Sequence, residues 1–398
     1  MEDIVVKGAK FVEENKTVVG AGSALALVLG YFAFRRQVMG RDVHDYDNQF
    51  TGATKILNNA DHVLKGKEFE GAADKYMSRF DGARTGAVTD SKSIEVRKEE
   101  YGSMVDEFYH LVTDFYEWGW GQSFHFGPRY ITETFDESIK RTEYHLCSRL
   151  HMKPGMKVID VGCGVGGPMR NMAMFSGATI EGITINEYQV KIGNKYNENL
   201  GLSSICHLTQ GDFQNQPWPD KTFDAAYEIE ATCHSPDRVR TYGEVARVLK
   251  PGAYFAGYEW VMTDKYDPKN KDHVRVKEGI EEGNGLPTLV HYKQVMGDLE
   301  AAGFEVVEHY DANRDVHKAN NIPWYATLDG KFTLSGFRMT FMGRMCTHSM
   351  VWVLETIGIA APGSTKVSAF LNATALDLCE SGRTEIFTPS YYFLARKK

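Results

Sequence analysis

The sequence predicts an α/β fold, an open parallel sheet with helices on both faces. Five short segments rich in β-branched and aromatic residues alternate with helical patterns between residues 156 and 260, as in folds built from strand-helix-strand units. A glycine-rich turn directly follows the first of these strands, at the position where such sheets bind nucleotides. With 398 residues, of which 42% are hydrophobic, the chain is long enough to bury the core of this fold.

The predicted strands and helices follow one another in a regular order. Strands are predicted at MKVIDVG, ATIEGITI, ICHLTQGDF, FDAAYEIE and AYFAGYEW, with helices such as EYQVKIGNKYNENL and RVRTYGEVARVLK between them. Two further strands, FEVVEHY from residue 304 and TEIFTPSYYFLARK from residue 384, are expected to close the sheet. A Met-rich helical insert of about 70 residues between them is longer than a plain loop. We therefore assign residues 94–310 to the α/β domain and residues 311–398 to a C-terminal domain.

An uncharged segment near the start of the chain predicts a membrane anchor. Residues 18–34 read VVGAGSALALVLGYFAF, and two arginines end the segment. Its length is near the lower limit of the roughly 17 to 25 residues that cross a bilayer. We expect a transmembrane helix within residues 1–36, with a buried or interfacial helix as the alternative. Basic residues flank both ends in similar number, so the charges do not fix the orientation.

Residues 37–93 predict a linker rather than a domain. This stretch is polar, contains glycines and is weakly periodic, with one short helical pattern at FEGAADKYM. From about residue 94, apolar residues recur at three-to-four-residue spacing and predict an amphipathic helix. This helix leads into YEWGWGQSFHF at residues 116–126.

The segment YEWGWGQSFHF fits neither a helical stripe nor a strand alternation. Its large rings are Tyr116, Trp118, Trp120, Phe124 and Phe126, with two glycines between them and His125 beside the last ring. So many aromatic side chains either fill a core or form a wall that faces a ligand. The pattern alone leaves both alternatives open.

Composition excludes two classes of protein. The net charge of −8 and the pI near 5.9 argue against nucleic-acid binding, because no broad basic surface would attract phosphates. The six cysteines form no CxxC pair and no Cys/His spacing typical of a metal site, so we expect neither a bound metal nor a disulfide framework. This cysteine usage favours a reducing compartment.

The glycine-rich turn in VIDVGCGVGGP, residues 158–168, indicates a nucleotide site. Glycines let a ligand approach the backbone closely. No Lys-Ser/Thr pair follows, so the turn is not a P-loop. Asp160 directly precedes the glycines, and the next strand ends in a Thr-Ile-Asn sequence rather than in a carboxylate for a ribose. The turn glycines are Gly162, Gly164, Gly166 and Gly167.

The order Asp-x-Gly-x-Gly resembles the first motif of class I S-adenosylmethionine-dependent methyltransferases, whose sheet is Rossmann-like. The resemblance implies S-adenosylmethionine as cofactor. It places Asp212 at the adenine amino group and Phe213 against the adenine ring. The ribose carboxylate common in that family is missing, so Asn186 and Gln189 are expected to bind the hydroxyls. Asp160 and the glycines Gly162, Gly164 and Gly166 complete the predicted cofactor site.

Four long segments resemble the signature regions of sterol 24-C-methyltransferases in the family order. They are YEWGWGQSFHF, IDVGCGVGGP, YEIEATCHSP at 227–236 and GYEWVMTDKYDP at 257–268. The C-terminal insert and the FTPSYYFLARK tail resemble that family's C-terminal domain. The departures are mild: Thr184 and Ile185 stand where asparagines are usual, and Val261 replaces a common cysteine.

The resemblance implies both the reaction and its setting. A methyl group passes from S-adenosylmethionine to C24 of a sterol side-chain double bond, and a hydride shift and a deprotonation then give a 24-methylene sterol. The setting is sterol biosynthesis at the endoplasmic reticulum membrane, with the catalytic domain facing the cytosol. Self-association is also expected. The preferred sterol and the number of methyl groups added do not follow from the sequence.

This reaction passes through a carbocation, which aromatic faces stabilise without capturing it. Tyr116 is therefore expected to take part in catalysis, and Trp118, Trp120, Phe124 and His125 to contact the sterol.

A base must remove the final proton. In order of preference we expect Glu230, then His234, then Asp264 to be this base. Glu259, His125 and Glu117 are further candidates. Each has a structural alternative, such as an acid that holds the cofactor's amino group or a histidine satisfied within the core.

Two other functions compete with this hypothesis. A methyltransferase of another class, acting on tocopherol precursors, phosphoethanolamine or fatty acids, would share the glycine motif but would not explain the two Trp-containing signature regions. A membrane-tethered sterol binder without activity would not require the intact motif from Asp160 to Gly164.

Overall fold

The structure is a computed structural model that describes residue 64 and residues 66–80, 91–314, 320–330 and 337–398, without the side chains at positions 91, 118 and 338. Residues 18–34, on which the predicted membrane anchor falls, lie outside the described residues, as does much of the predicted linker. Within the described ranges, no helix combines the length and the apolar character needed to cross a bilayer.

Seven strands form the main sheet, and two very short strands pair separately. The seven are β2 (Lys157–Val161), β3 (Thr179–Thr184), β4 (Cys206–Gln210), β5 (Phe223–Ile229), β6 (Leu249–Met262), β7 (Phe304–Asp311) and β9 (Phe387–Lys397). Their order across the sheet is β4-β3-β2-β5-β6-β9-β7. The short pair consists of β1 (Arg129–Tyr130) and β8 (Asn321–Ile322).

The main sheet is mixed, whereas the sequence predicted a parallel sheet. Strands β2 to β6 pair in parallel, but β9 runs antiparallel to both of its neighbours, β6 and β7. The prediction of direction was wrong for this strand because apolar patterning carries no information on strand direction. The expectation that the two late strands complete the sheet is confirmed.

Helices cover both faces of this sheet, as predicted. They are α1 (Lys67–Ser78), α2 (Ser91–Glu99), α3 (Tyr101–Trp120), α4 (Phe135–Arg149), α5 (Gly167–Ser176), α6 (Glu187–Asn199), α7 (Arg238–Val248), α8 (Lys271–Asn284), α9 (Tyr292–Ala301), α10 (Ala326–Asp329), α11 (Phe341–Thr356) and α12 (Ser364–Thr384). Val158 of β2 packs in one core with Leu146 of α4 and Met169 of α5. Its neighbour Ile159 points to the opposite core, which α7 and α9 cover, because successive strand residues face opposite sides.

The first half of YEWGWGQSFHF is helical, contrary to the sequence pattern. Helix α3 continues through Gly119 to Trp120, and Gly121 with φ 83° ends it while donating its N–H to Glu117 O. The buried stripe of α3 includes Phe108, Leu111 and Val112. This packing outweighs the low helix propensity of one internal glycine, which costs about 1 kcal/mol.

Helix α1 lies within the stretch predicted as a linker, at the predicted helical pattern. Its apolar face is buried, and Phe69 and Tyr76 share a core with α3 and with Val367 and Phe370 of α12. This part of the stretch therefore packs against the domain and against the C-terminal region.

Helix α12 of the C-terminal region packs on α8, which follows β6. A side chain at Gly283 of α8 would place its Cβ 1.6 Å from Thr374 Oγ1 of α12. Only glycine allows so close an approach of the two helices. This contact brings α12 over the carboxyl ends of the central strands, where the candidate site lies.

Candidate active site

Two neighbouring cavities occupy the carboxyl ends of the central strands. The first, here called the strand-end cleft, is bordered by the glycine turn after β2 and by the ends of β3, β4 and β5. The second, here called the aromatic cavity, lies between α3, α8, α11 and α12. Five side chains border both cavities, so the two spaces meet: Tyr109, Phe124, His125, Glu230 and His234.

The glycine turn forms one wall of the strand-end cleft. Gly162 has φ 84°, and its N–H donates to Ile183 O at 2.9 Å. A Cβ at this position would lie 2.4 Å from the Cβ of Ala231, so the glycine lets the loop after β5 come close. Gly164 also lines the cleft, and Gly166 caps the start of α5 with a left-handed backbone.

Asp160 lies beneath this turn rather than in the wall of the cleft. Its side chain is buried, and Oδ2 accepts a hydrogen bond from Tyr227 Oη at 2.8 Å. Burial raises the pKa of Asp160 to about 7, although the Tyr227 hydrogen bond opposes this rise. The contact with Tyr227 fixes the carboxyl at the end of β2, immediately before the glycines.

Asp212 and Phe213, which were predicted to contact the adenine, border the strand-end cleft. Asp212 Oδ1 accepts hydrogen bonds from Tyr101 Oη and, at 2.7 Å, from the Gln214 N–H. The rings of Tyr101 and Phe213 are stacked with centroids 6.4 Å apart. Tyr101 was not predicted as a site residue, although it opens the apolar stripe of α3.

The structure separates the two side chains predicted to bind a ribose. Gln189 borders the cleft. Asn186 does not: its Oδ1 accepts from the Gln189 N–H at 3.0 Å as the cap of α6, and its Nδ2 donates to Asp106 Oδ1 at 2.9 Å. The prediction for Asn186 is therefore wrong, because the same amide that suits a hydroxyl also suits a helix N-cap.

The aromatic cavity has an empty volume of about 1240 Å³, with its open mouth included. Tyr116, Trp120 and Phe124, all predicted from the sequence, line it. The side chain of Trp118 lies outside the described part of the chain. Further aromatic side chains complete the lining: Phe108, Tyr109, Phe115, Phe126 and Trp260.

Hydrogen bonds hold the polar edges of these rings. Tyr116 Oη donates to Asn284 Oδ1 at 3.1 Å, and burial raises the pKa of Tyr116. Trp120 Nε1 donates to His125 O at 3.0 Å. Because these polar groups are paired within the protein, the cavity offers mainly carbon surface to a ligand.

Glu230 lies at the junction of the two cavities. Its backbone is left-handed, with φ 57°. Its Oε1 accepts from the Phe126 N–H at 2.8 Å, and its Oε2 accepts from Trp260 Nε1 at 2.8 Å. Burial raises the pKa of Glu230 well above its ordinary value, although these two donors oppose the rise. The carboxylate is thus fixed in orientation in an apolar setting.

His234 is a neutral imidazole beside the same junction. Its Nδ1 lies 3.1 Å from Gly285 O, so this nitrogen carries the proton and donates it. Nε2 then accepts from Tyr109 Oη at 2.9 Å. Burial lowers the pKa of His234 to about 4. Tyr109 was not predicted as a site residue, although it shares an apolar face of α3 with Tyr116, seven residues later.

Two further acids support the loop that carries Glu230. Glu228 Oε2 accepts from the N–H groups of Ala231 at 3.0 Å and Thr232 at 3.3 Å. Glu259 accepts from Thr232 Oγ1 and, at 2.8 Å, from the Trp260 N–H. Glu259 had been a candidate base, but its oxygens hold the loop and it borders neither cavity.

Asp264 lies on the surface, away from both cavities. Its side chain is 64% exposed and pairs with Lys293 Nζ at 2.7 Å and with Tyr292 Oη at 2.9 Å. These contacts lower its pKa. The prediction of Asp264 as a base is wrong, because β6 extends past the site and carries this residue into the loop beyond it.

His125 borders both cavities, but its ring nitrogens face protein groups. Nδ1 lies 2.6 Å from Phe126 O, and Nε2 lies 3.3 Å from Glu143 Oε1. Glu143 also accepts from Ser123 Oγ at 2.8 Å. The imidazole thus connects the second half of the aromatic segment to α4. Among the described residues, no group of three or more His, Cys, Asp or Glu side chains is arranged to hold a metal ion.

Two family models match the protein. The model described as methyltransferase domain matches residues 159–257, which include the glycine turn and Glu230. The model described as sterol methyltransferase C-terminal matches residues 334–398, which include α11, α12 and β9.

Curated proteins resemble this one over most of its length. Cycloartenol-C-24-methyltransferase 1 of Oryza sativa subsp. japonica is 46% identical over 87% of this chain and 98% of its own length. Cycloartenol-C-24-methyltransferase of Arabidopsis thaliana is 48% identical over 76% of this chain and 89% of its own. A sterol 24-C-methyltransferase of Saccharomyces cerevisiae is 38% identical over 92% and 93%, respectively.

Solved structures share the fold at low identity. The cyclopropane synthase MmaA2 of Mycobacterium tuberculosis matches with a TM-score of 0.56 and 15% identity, over 76% of this chain and 98% of that one. A mycolic acid cyclopropane synthase matches with a TM-score of 0.57 and 17% identity, over 74% and 97%. At this identity the likeness concerns the fold alone.

Proposed function

This chain belongs to the sterol 24-C-methyltransferase family, and we propose that the junction of its two cavities is where it performs the family's reaction. The enzyme transfers a methyl group from S-adenosylmethionine to C24 of a sterol in sterol biosynthesis. One observation carries the proposal for the site. The strand-end cleft and the aromatic cavity meet at Glu230 and His234.

The strand-end cleft fits S-adenosylmethionine. The turn at Gly162 and Gly164 allows close approach to backbone, Asp212 offers a carboxylate acceptor, and Phe213 offers an apolar surface for a base. Gln189 also borders the cleft, with its amide held by Thr184 Oγ1 at 2.8 Å and Thr113 Oγ1 at 3.3 Å. When bound, S-adenosylmethionine supplies an electrophilic methyl group.

The aromatic cavity fits the sterol side chain. An alkene is a weak nucleophile, so the cavity must hold it in line with the cleft and stabilise the cation that follows methylation. Phe124 borders both spaces, and Tyr116 packs edge-on against it with centroids 5.6 Å apart. Aromatic faces contribute about 0.5–2 kcal/mol each to a nearby cation, and more when water is excluded.

Glu230 is the base of this proposal. After the hydride shift from C24 to C25, a proton leaves the added methyl carbon for a carboxylate oxygen, and the C–H electrons form the 24-methylene double bond. Burial raises the pKa of Glu230, so the carboxylate, when ionised, binds a proton more strongly than a surface carboxylate does. Its two hydrogen-bond donors hold the oxygens in place, which disfavours their capture of the cation.

His234 is the alternative base. Its Nε2 faces Tyr109 Oη, so a proton would pass to the tyrosine oxygen as the tyrosine proton moves to the imidazole. The pKa of about 4 makes this imidazole a weak base. For this reason we place it second.

Substitution of the two bases tests the assignment. Glu230→Gln should keep S-adenosylmethionine binding and lower kcat by about 10²–10⁴-fold, the range for a lost general base. It should also divert the cation to other sterol products, which mass spectrometry would detect. Asp264→Asn is the matched control and should retain activity. If His234→Gln removed turnover while Glu230→Gln kept it, His234 would be the base.

A substrate panel tests the function itself. Purified enzyme would be given cycloartenol, lanosterol, zymosterol and a 24-methylene sterol, and the methylated products would be identified by mass spectrometry. We expect the new methyl group on a carbon of the sterol side chain. Methylation of nitrogen or oxygen, or of a fatty acid, would contradict the sterol assignment.

We further propose that residues 18–34 anchor the enzyme in the endoplasmic reticulum membrane with its catalytic domain facing the cytosol. The uncharged length of this segment supports the proposal. Protease protection of a tagged protein in microsomes would test it: a protected catalytic domain would overturn the orientation. Self-association also remains a proposal from the family resemblance, and sedimentation in detergent would measure it.

A further inference from the structure

Helix α11 presents an apolar face to solvent. Phe341, Met342 and Met345 are 78%, 56% and 54% exposed, and Trp352 is 42% exposed. At 3.6 residues per turn these four side chains lie within an arc of about 100°. The buried residues of this helix are Gly343 and Val351. An apolar face of this size on one helix indicates a binding partner.

Helix α11, which carries this face, also lines the aromatic cavity. Arg344 and Thr347 of α11 line the cavity, as do Leu371 and Ala375 of α12. On α12, the residue after Ala375 is Leu376, which is 61% exposed. Helix α11 therefore presents its apolar face to solvent and another face to the cavity, and Arg344 and His348 bond it to Asn372 O and Ser368 Oγ of α12.

The face carries little charge. Within α11, Arg344 and Glu355 are the residues that carry a full charge at neutral pH. The Arg344 guanidinium donates to carbonyl oxygens of Leu328 and Met339, and Glu355 accepts from the Gly363 and Thr365 N–H groups at 2.9 and 2.7 Å. The two charges are thus engaged within the protein. A partner must be apolar, and binding should depend little on salt.

Helix α1, which follows residues 1–63, packs on α12. A Cβ on Gly363 would lie 3.1 Å from Glu70 Cα, and Lys366 Nζ lies 2.8 Å from Asp74 Oδ1. Leu64 packs into the core that α1 shares with α12. Leu64 and α1 therefore pack against α12, a helix that also lines the aromatic cavity.

We propose that the apolar face of α11 docks on the surface of a lipid bilayer and that sterols enter the aromatic cavity from the bilayer beside α11. This inference rests on the proposed function, because a sterol is dissolved in lipid rather than in water. In the docked state, Phe341, Met342 and Met345 lie at the level of the acyl chains, as the apolar residues of amphipathic interfacial helices do. Docking on this face requires no anionic lipid. The protein's net charge of −8 would oppose its attraction to an anionic bilayer, so an uncharged bilayer is the expected partner.

Photo-crosslinking identifies the occupant of this face. The full-length protein, reconstituted in phosphatidylcholine vesicles, would carry benzoylphenylalanine in place of Phe341. The matched control would carry it in place of Val307, an exposed apolar residue of β7. We expect lipid adducts at 341 and none above background at 307. A crosslink from 341 to residues 1–63, or to a second copy of the protein, would overturn the proposal.

Kinetics test whether the docked face delivers the sterol. With sterol embedded in vesicles, F341S/M345S should raise KM at least tenfold without changing kcat. With sterol delivered by cyclodextrin, KM and kcat should match those of the unchanged enzyme. An equal loss with both forms of sterol would overturn the delivery role. If the unchanged enzyme methylated neither form, the proposed function would fail instead, whereas the crosslinking result does not depend on activity.

Discussion

At the scale of single residues, the site depends on a carboxylate held between two cavities by strained backbone. Glu230 is a non-glycine residue with φ 57°, a conformation that costs about 1–3 kcal/mol. Glu228 stabilises this strained conformation, because its buried carboxylate accepts hydrogen bonds from the N–H groups of the two residues that follow Glu230. The strain aims the Glu230 side chain at the Phe126 N–H and at Trp260. The left-handed backbone of Glu230 and the hydrogen bonds of Glu228 together orient the Glu230 side chain.

The glycine turn gives a prediction with an internal control. Gly162 and Gly155 have nearly equal φ values of 84° and 88°, but a Cβ would clash with Ala231 only at Gly162. Gly155→Ala should cost about 1–2 kcal/mol of unfolding free energy from backbone strain alone. Gly162→Ala should cost a further 1–3 kcal/mol, roughly the penalty of overpacking. Denaturant unfolding measures both losses.

Only Gly162→Ala should also weaken S-adenosylmethionine binding, because only this turn borders the cleft. Calorimetric titration of the two variants measures the difference. Equal affinities would show that the turn does not contact the cofactor.

The protonation state of His234 gives a second prediction. Because its pKa is about 4, the ring should be neutral throughout the range from about pH 5 to 8, where an unperturbed histidine titrates. Its proton should reside on Nδ1, which faces Gly285 O. Imidazole ¹⁵N chemical shifts, assigned with a His234→Gln variant, report both properties. A proton on Nε2 would contradict the hydrogen bond from Tyr109.

The residues whose chemistry belongs to a sequence motif could be predicted from the sequence. Glu230, Asp212, Gly162 and Gly164 border the strand-end cleft because their loops follow parallel strands, whose carboxyl ends meet at one edge. Tyr109 was missed because a tyrosine on an apolar helix stripe has the pattern of a core residue. Its hydroxyl has a role in the site only because it donates a hydrogen bond to His234, which lies 125 residues further along the sequence.

At the scale of secondary-structure elements, a buried charge cluster ties α2 to α8. Glu281 is fully buried and accepts from Lys277 and from Arg97, the latter at 3.1 Å. It also accepts from the Leu289 N–H at 2.7 Å. Burial alone would raise the pKa of Glu281, but Lys277 and Arg97 lower it below the ordinary value.

Glu281→Gln should reduce the unfolding free energy by about 3–5 kcal/mol, since it leaves two buried cations without their anion. The folded-state pKa of Glu281 is below the unfolded value. Its stabilisation is therefore present above the unfolded pKa of about 4.3 and is lost as the pH falls through the folded pKa. Thermal unfolding of both proteins between pH 7 and pH 3 would show this difference shrinking.

Arg396→Gln is the matched control for this prediction. Arg396 and Glu305 form a pair in which both side chains are about half exposed, 49% and 50%. Such pairs contribute only about 0.2–1 kcal/mol. A loss at position 281 no larger than that at 396 would contradict the structural role of the buried cluster.

The elements themselves were predictable where local patterning decides them. The strands and helices from β2 to β6 appear where the sequence places them, because each carries its own apolar period. The helical end of α3 was not predictable, since Trp120 packs against Phe126 and Phe135, which lie beyond the helix. The direction of β9 could not be predicted from the sequence either, because it is set by pairing with β6 and β7.

At the scale of the whole molecule, the C-terminal region belongs to the catalytic sheet. Its helices α11 and α12 wall the aromatic cavity, and β9 separates β6 from β7. Removal of residues 387–398 should therefore prevent folding of the sheet and abolish S-adenosylmethionine binding, although the cleft lies at other strands. Circular dichroism and cofactor titration would measure these losses. A truncated protein that still bound the cofactor would show that β2 to β6 fold without β9.

The position of β9 also constrains how the protein is made. Strands β6 and β7 leave the ribosome before β9 exists, and each keeps an open edge until β9 pairs with both. The intervening stretch of about 75 residues takes roughly 4–15 s to synthesise at 5–20 residues per second. During that interval the nascent polypeptide exposes the unpaired N–H and C=O groups of two strand edges, which are sites for misassembly between neighbouring molecules. We therefore expect synthesis of this enzyme to depend on chaperones that cover β6 and β7 until the sheet can close.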